Sequence, residues 1–389
     1  MKIVIISYNF LGKAPGWSEK VNFSPLGGLG VNLLKTSEVL YKNGYDITIL
    51  QHDSGATISR YNNINIKYVP VKTTKSIIFN TIHFNFNWHK YVPKDANFVH
   101  LQYYMYGLPY HKLIISSNHP GIEWDHPIRL RPLGVNYLVK QTFHNLLKKG
   151  VHFRASDNSV LSYVQSNIPK YRNQIIPVPN GVDINQFKPK KVNKDKLGIG
   201  DDRPIIFFPR SITQKHGSLL LLESLAKLKF ISSDFLLLMA GPLKNNEKKI
   251  FFNKLYQLQL TDHILLKGHI PYSEMVNYYN ISDIVTIPSL CSEGTTISCL
   301  EAMACEKPVI VTNVGGIKEI IYRSYIDGGI MVQPDSSQLR DAFLELLNDV
   351  DLRKNLGIKG RKRVKKYFTL EHFEKGIKSF FDFVLSKKS

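Results

Sequence analysis

Cysteine is scarce: three residues in 389, Cys291, Cys299 and Cys305. The number is odd and no C-x-x-C pair exists, so neither a disulfide framework nor a structural zinc site is expected. No apolar run approaches the roughly 20 residues that span a bilayer. The start, "MKIVIISYNFLG", has one Lys and a short apolar run. That is too short for a signal-peptide core and reads as a first buried strand. Free thiols without an export signal place the expected compartment in the cytoplasm. Acidic residues are also few, 31 against 51 Lys and Arg, for a formal charge of +20. Residues 1–187 hold 20 basic and 9 acidic side chains, so the excess is spread over the chain and is not a basic tail. Such a field attracts anions: nucleic acid, anionic lipid or phosphorylated small molecules. A Lys-rich solvated surface accounts for it equally, since net charge speaks to association and not to fold.

What is present is an ordinary globular composition, 43% hydrophobic and 21% charged, long enough for two domains. Short β-rich runs alternate with helical patterns. "KIVIIS", "YDITIL", "NFVHLQ", "HKLIISS" and "NQIIPVPNGV" read as strands of a first half. "LGVNLLKTSEVLYKNG" reads as a helix stopped by Asn43-Gly44. The pattern restarts with "RPIIFFPR", "DFLLLMAG", "HILLKGHI", "DIVTIPSL", "KPVIVT" and "GIMVQP". Strand, helix, strand at this spacing means parallel βαβ units. "NQFKPKKVNKDKLGIGDDRP" reads as the interdomain linker. The expected domains are 1–187, 188–368 and a C-terminal helix at 369–389. That helix carries Phe373, Ile377, Phe380, Phe381 and Val384 on one side.

Doubly wound α/β domains bind ligands at the carboxyl ends of their strands, and a cleft between two of them is the default place for chemistry. Three loops there could hold an anion. The first ends "PLGGLG", with Gly27, Gly28 and Gly30 at a helix start. Free N–H groups there suit a phosphate. It is not a dinucleotide fingerprint, because position 33 is Leu and the loop is long. A flexible turn explains it as well. The second, "FFPRSITQKHG", offers Arg210 as a fork and Lys215 as a point charge. Alone, these are two surface cations. The third is "SEGTTISCLEAMACEKPVIVTNVGG", where seven residues separate Glu293 from Glu301. Thr295 or Thr296 is a plausible N-cap, so a helix N-terminus stands between the acids. Ribose, diphosphate and sugar in a nucleotide sugar match that layout, because carboxylates accept from hydroxyls and the helix end faces the anion. Taken singly, each acid is more often a solvated or capping Glu.

With these residues in place the chain resembles glycosyltransferase family 4, the retaining group with the GT-B fold. The likeness covers nearly the whole chain and is strongest over 177–334. It rests on "PVPNGVDINQFKP", the Arg210/Lys215 loop, the two-glutamate stretch and "GGIMVQPDSSQLRDAFLELLND" in that order. The resemblance implies two Rossmann-like domains facing each other across a cleft, with the C-terminal helix crossing back to the first. It implies that Glu293 holds hydroxyls of the donor sugar and Glu301 those of the ribose. Arg210 and Lys215 would neutralise the diphosphate as the leaving group gains charge. Backbone amides at Gly294, Thr295 and Thr296 would assist, and Gly28 would approach the phosphates from the other domain. His119, in "NHPGIEWD", matches a family His near sugar and acceptor; a structural loop His is the alternative. No cofactor and no metal are implied, and no Asp-x-Asp site stands out. The expected partners are a nucleotide sugar and a glycan, lipid-linked or small-molecule acceptor.

Two departures bear on specificity. Thr295-Thr296 stand where the family often has Phe-Gly, and His216 separates Lys215 from Gly217. Rival readings are a nucleotide-sugar epimerase, a glycan phosphorylase whose pyridoxal Lys cannot be placed, and a basic adaptor without catalysis. The aromatic run "LQYYMYGLPYHK" could serve a nucleic-acid binder, but its place after a strand favours an acceptor wall, and nucleic acid is not an expected partner. "RLRPLGVNYLVKQTFHNLLKKG", Arg129 to Gly150, mixes basic and apolar positions. It could lie on an anionic membrane at the cytoplasmic face, or simply pack on its own sheet.

Overall fold

The computed structural model describes residues 1–8, 10–12, 24–25, 27–52, 58–71, 77–108, 110–119, 121–122, 124, 133–243 and 245–387. Its backbone contacts divide into two units. Unit 1 is Met1–Pro179 with Phe373–Ser389, and unit 2 is Asn180–His372.

Unit 1 is built on strands β1 (Lys2–Ile6), β2 (Asp46–His52), β3 (Ile64–Val69), β4 (Phe98–Leu101), β5 (Ile114–His119), β6 (His152–Ala155) and β7 (Ile175–Pro177). They pair in parallel in the order β7-β6-β5-β4-β1-β2-β3, and a short antiparallel piece, Arg60–Tyr61, extends the β3 edge. Unit 2 repeats the plan with β8 (Ile205–Phe208), β9 (Leu236–Ala240), β10 (Ile264–Gly268), β11 (Ile284–Ile287), β12 (Val309–Thr312) and β13 (Gly329–Val332), ordered β10-β9-β8-β11-β12-β13. Both sheets therefore start in the middle and reverse direction once: between β1 and β4 in unit 1, and between β8 and β11 in unit 2. At such a reversal the flanking connections leave on opposite faces and open a crevice at the carboxyl edge.

Burial follows the period of the strand. Ile206, Phe208, Leu237, Met239, Ile284 and Ile310 join one core, while Phe207, Leu236, Leu238, Val285, Val309 and Val311 join the other. Neighbouring residues point to opposite faces and both faces are covered, which is why these strands read as continuous apolar runs. Two strands of unit 1 escape that signal. β3 alternates in burial, and β6 carries His152 and Arg154. Arg154 is nevertheless buried. Its guanidinium donates to the Val178 carbonyl at 2.7 and 3.1 Å and to Asn32 at 3.2 Å, and it lies over the Phe373 ring at 5.1 Å. Burial brings its pKa down to about 9.

The chain leaves unit 1 at Pro179 and not at residue 187. The Lys- and Pro-rich stretch expected as a linker is instead held by unit 2. Phe187 is fully buried against Tyr272 and Tyr279, and the Lys190 N–H donates to Asn280 at 2.9 Å. Composition hid a single anchoring aromatic. The terminal helix runs Leu370–Ser386, and from Phe373 onward it belongs to unit 1. Its five expected apolar residues are buried, with Phe381 set 6.3 Å from Phe98 and 5.3 Å from His100. Helix Leu133–Lys148 buries Val139, Phe143, Leu146 and Leu147 in unit 1, which leaves Tyr137 and Leu138 exposed; Arg129 and Arg131 lie outside the described residues. Tyr104, from the aromatic run, is buried too and offers no open stacking platform. Among the described residues no helix is long and apolar enough to cross a membrane.

Truncating Phe381 to Ala should cost about 3–5 kcal/mol, the usual range for a buried Phe. Urea unfolding followed by circular dichroism checks it. A loss below about 1 kcal/mol would mean the terminal helix contributes little to unit 1.

Candidate functional site

Arg210 and Glu293 are 83 residues apart in sequence and meet because β8 and β11 are neighbours. Each strand hands its chain to a loop at the carboxyl edge. After β8 comes Pro209, then Arg210; after β11 come Pro288, Ser289 and the loop to Glu293. The Arg210 guanidinium donates to Glu293 Oε2 and to Ser289 Oγ. Both side chains are largely enclosed, Arg210 9% and Glu293 14% exposed. Burial pushes the Glu293 carboxyl up, but the charges of Arg210, His216 and Lys215 outweigh it and hold the pKa at about 2. The group is a carboxylate at any ordinary pH.

The two loops are locked to one another by backbone. The Leu290 N–H donates to the Lys215 carbonyl at 3.0 Å. Gly217 closes the turn at φ +80°, where a Cβ would fall 1.7 Å from the Pro288 carbonyl oxygen. Gly315, in the turn after β12, has φ +51°, and a Cβ there would lie 2.4 Å from the Glu293 carbonyl oxygen. Both positions need the left-handed region and a close backbone approach, which only glycine provides without strain. The Gly316 N–H completes the clasp by donating to that same carbonyl at 2.6 Å.

Lys215 stands on the same loop, partly exposed, with no side-chain hydrogen bond or ion pair to another described residue. His216 was legible only as a departure from the pattern. Its ring is half-buried, Nδ1 donates to the Ser211 carbonyl at 2.8 Å, and Nε2 lies 3.5 Å from Glu293 Oε1. Burial first, then Arg210, lowers its pKa to about 4.

The helix after Glu293 is Ile297–Ala304. Neither Thr caps it through its side chain. Thr296 occupies the N-cap without a capping bond, and its hydroxyl is 3.4 Å from Glu293 Oε2. Thr295 is buried and holds Asn180: its hydroxyl accepts the Asn180 N–H at 2.7 Å and its carbonyl the Asn180 amide at 2.6 Å. Among the described residues the N–H groups of Gly294, Thr296, Ile297 and Ser298 take no partner, so this end keeps donors for an anion. Glu301 is 4% exposed and accepts from the Tyr279 hydroxyl at 2.7 Å. Burial and then the Glu301 charge raise the Tyr272 and Tyr279 hydroxyls well above the usual tyrosine range. Neither tyrosine was singled out in the sequence.

Gly28 and His119 lie on the carboxyl edge of unit 1. Gly28 is in the first turn of helix Gly27–Lys42, exposed, with nothing within 4 Å of a notional Cβ. His119 ends β5 with its ring fully enclosed, stacked on Tyr104 at 4.5 Å and edge-on to Phe143 at 4.8 Å. Gln102, which the sequence did not flag, links their chain neighbours: it accepts from Asn118 at 2.8 Å and donates to the Leu29 carbonyl at 3.3 Å. The sequence's Asp-x-Asp pair, Asp349 and Asp351, lies elsewhere. Asp349 caps helix Val350–Tyr367 and Asp351 is a surface residue. Among the described residues no group of three or more His, Cys, Asp or Glu side chains gathers.

Both shifts at the Arg210 cluster give acid lability of one sign. His216 binds a proton more weakly folded than unfolded, so its contribution falls as pH drops from 6.5 towards 4. Glu293 is depressed, so its contribution is full above 4.5 and is lost as pH falls to about 2. His216→Gln should flatten the upper part of the stability–pH curve relative to wild type. Thermal melts across that range read the difference, and parallel curves would show that His216 does not titrate in this way.

Residues 189–363 match the family model described as glycosyl transferases group 1. An uncharacterised glycosyltransferase of Methanocaldococcus jannaschii is 29% identical over 225 residues, 57% of this chain and 58% of that one. The lipopolysaccharide 1,2-N-acetylglucosaminetransferase of Salmonella typhimurium is 28% identical over 223 residues, 53% of this chain and 56% of that one. The chain thus spans little over half the length of these curated relatives. In fold the likeness runs the length of the chain: a sucrose-phosphate synthase from Thermosynechococcus elongatus superposes with a TM-score of 0.82 over 99% of each chain at 18% identity. Residues 189–363 are therefore a glycosyl transferases group 1 domain, and the chain that contains them has the GT-B fold.

Proposed function

We propose that this chain transfers a sugar from a nucleoside-diphosphate donor to an acceptor hydroxyl, with retention at the anomeric carbon. The observation that carries the reading is the joining of Arg210, Lys215 and Glu293 at the carboxyl edge of unit 2, where β8 and β11 reverse the sheet. Lys215 and the amides of Gly294, Thr296 and Ile297, without partners among the described residues, would take the diphosphate oxygens. Arg210 would share itself between Glu293 and the leaving phosphate, so charge that develops on the leaving group meets a fixed cation. Glu293 would hold sugar hydroxyls, and Glu301, exchanging part of its tyrosine contact, those of the ribose. Thr295 would act through the position it gives the loop. The family resemblance also gives Gly28 of unit 1 a role towards phosphate and His119 one towards sugar and acceptor. Two cations and a helix N-terminus supply the charge stabilisation a divalent ion would otherwise bring, so neither metal nor cofactor is part of the proposal. The acceptor is a hydroxyl of a glycan, a lipid-linked molecule or a small molecule, and the compartment is the cytoplasm.

Glu293→Ala should cut turnover strongly while leaving free nucleoside diphosphate binding nearly intact, whereas Glu301→Ala should weaken nucleotide binding itself. Arg210→Ala and Lys215→Ala should each slow transfer by about two orders of magnitude or more, and EDTA should leave wild-type activity unchanged. Calorimetry with UDP, GDP and ADP beside a coupled transfer assay separates these outcomes. Wild-type nucleotide affinity in both Glu variants would remove the ribose assignment, and loss of activity in EDTA restored by Mg²⁺ would remove the metal-free one.

A lipid-linked acceptor would favour weak docking on an anionic surface. Exposed Tyr137 and Leu138, 64% and 55% accessible, share helix Leu133–Lys148 with Lys148 at its end. Each cation near such a surface contributes about 1 kcal/mol. The protein should sediment with anionic vesicles at low salt and be released at high salt. Equal recovery in the supernatant with neutral and anionic lipid at both salt levels would leave a soluble acceptor as the reading.

A further inference from the structure

Arg210 and His216 both reach Glu293, but they offer it opposite things. Arg210 donates to Oε2. His216 turns Nε2 towards Oε1 at 3.5 Å while Nδ1 sits 2.8 Å from the Ser211 carbonyl oxygen. A carbonyl only accepts, so the ring proton is on Nδ1. The charged groups around the imidazole are the Arg210 and Lys215 cations and the Glu293 carboxylate itself. With the pKa at about 4, the second ring proton is absent at neutral pH. Nε2 therefore faces Oε1 lone pair to lone pair, and Oε1 is buried with no hydrogen bond of its own.

Two acceptors side by side, one of them buried, are unfavourable until donors are supplied. The arrangement is also built, not incidental. Thr213 receives the His216 N–H, Gly217 is wedged on Pro288, and the Lys215 carbonyl ties down Leu290, so the two acceptor-bearing loops cannot drift apart independently. A pair of donors about one hydrogen-bond length apart fits such a pair of acceptors. Adjacent hydroxyls on a sugar ring are that pair: one donates to Oε1, its neighbour to Nε2.

We propose that His216 Nε2 and Glu293 Oε1 together accept two adjacent hydroxyls of the donor sugar, which makes His216 a specificity-determining residue. The assignment rests on the sugar-transfer reading above and deepens it. A donor with vicinal free hydroxyls at the matching positions is selected, and one lacking either leaves an acceptor of the pair unpaired.

Two measurements test it. Nitrogen-15 NMR of the histidine rings in the whole chain, with His216 assigned by its absence in His216→Phe or His216→Gln, should show one protonated and one bare nitrogen at about pH 7. A doubly protonated ring would mean a plain ion pair with Glu293 and overturn the inference whatever the substrate. The second measurement uses UDP-glucose, UDP-N-acetylglucosamine and GDP-mannose, and the monodeoxy forms of whichever is turned over. Wild type should lose about tenfold or more in kcat/KM when one of two adjacent hydroxyls is removed. His216→Phe should lose a similar factor with the full donor and show no further loss with that deoxy donor, while free UDP or GDP binds it as it binds wild type. An equal loss for every donor would mark His216 as merely structural. If wild type neither binds nor turns over any of the three, the transfer reading fails, and the ring tautomer still reports separately on the acceptor pair.

Discussion

The contact between the Arg210 guanidinium and the Glu293 carboxylate is what the rest of unit 2 is arranged to permit. Neither group would be enclosed alone, because a buried charge without a partner is strongly unfavourable. Together they form a compact neutral pair. The strand order explains why they meet. With β8 and β11 adjacent at the reversal, the two carboxyl-edge loops have no strand between them. His216 and Lys215, which has no side-chain hydrogen bond or ion pair to another described residue, then give the carboxylate an acceptor and a cation as neighbours.

Much of this was readable in the sequence, for reasons that can be given residue by residue. Parallel strands covered on both faces leave uninterrupted apolar runs, so β8, β9, β11 and β12 stood out, as did the one-sided terminal helix. Gly44 stopped the first helix as its place in the sequence suggested, in the left-handed conformation at φ +83°. Charged residues after strand ends marked Arg210, Lys215 and Glu293 as belonging to loops at one edge. The apolar residues of the basic helix were legible too, but not which way they face, since packing inward and lying on a membrane need the same pattern.

What escaped did so because polar and apolar roles were exchanged. β6 hides its strand character behind Arg154, whose charge is satisfied by a carbonyl and an aromatic ring. The stretch around Phe187 looked like a linker since one buried aromatic is lost among lysines. Tyr279 was not singled out; it is buried, and its hydroxyl is what holds Glu301. Thr295 was read as one of two candidate caps, and its side chain instead fastens Asn180. A one-dimensional pattern reports how often a residue type is buried. It does not report which single atom of a buried residue has a partner.

Gly217 and Gly315 carry a consequence for how this protein would look to a mutational scan. Neither has a side chain that could touch a ligand, yet each is pressed against the carbonyl of a residue that frames the Arg210–Glu293 pair. Substitution at either should register with the severity of a change to the charged residues themselves. A map of intolerant positions would thus outline a larger patch than the chemistry occupies. The excess would be backbone, a mould rather than a reagent. Comparing the loss of folded protein with the loss of rate per folded molecule would separate the two.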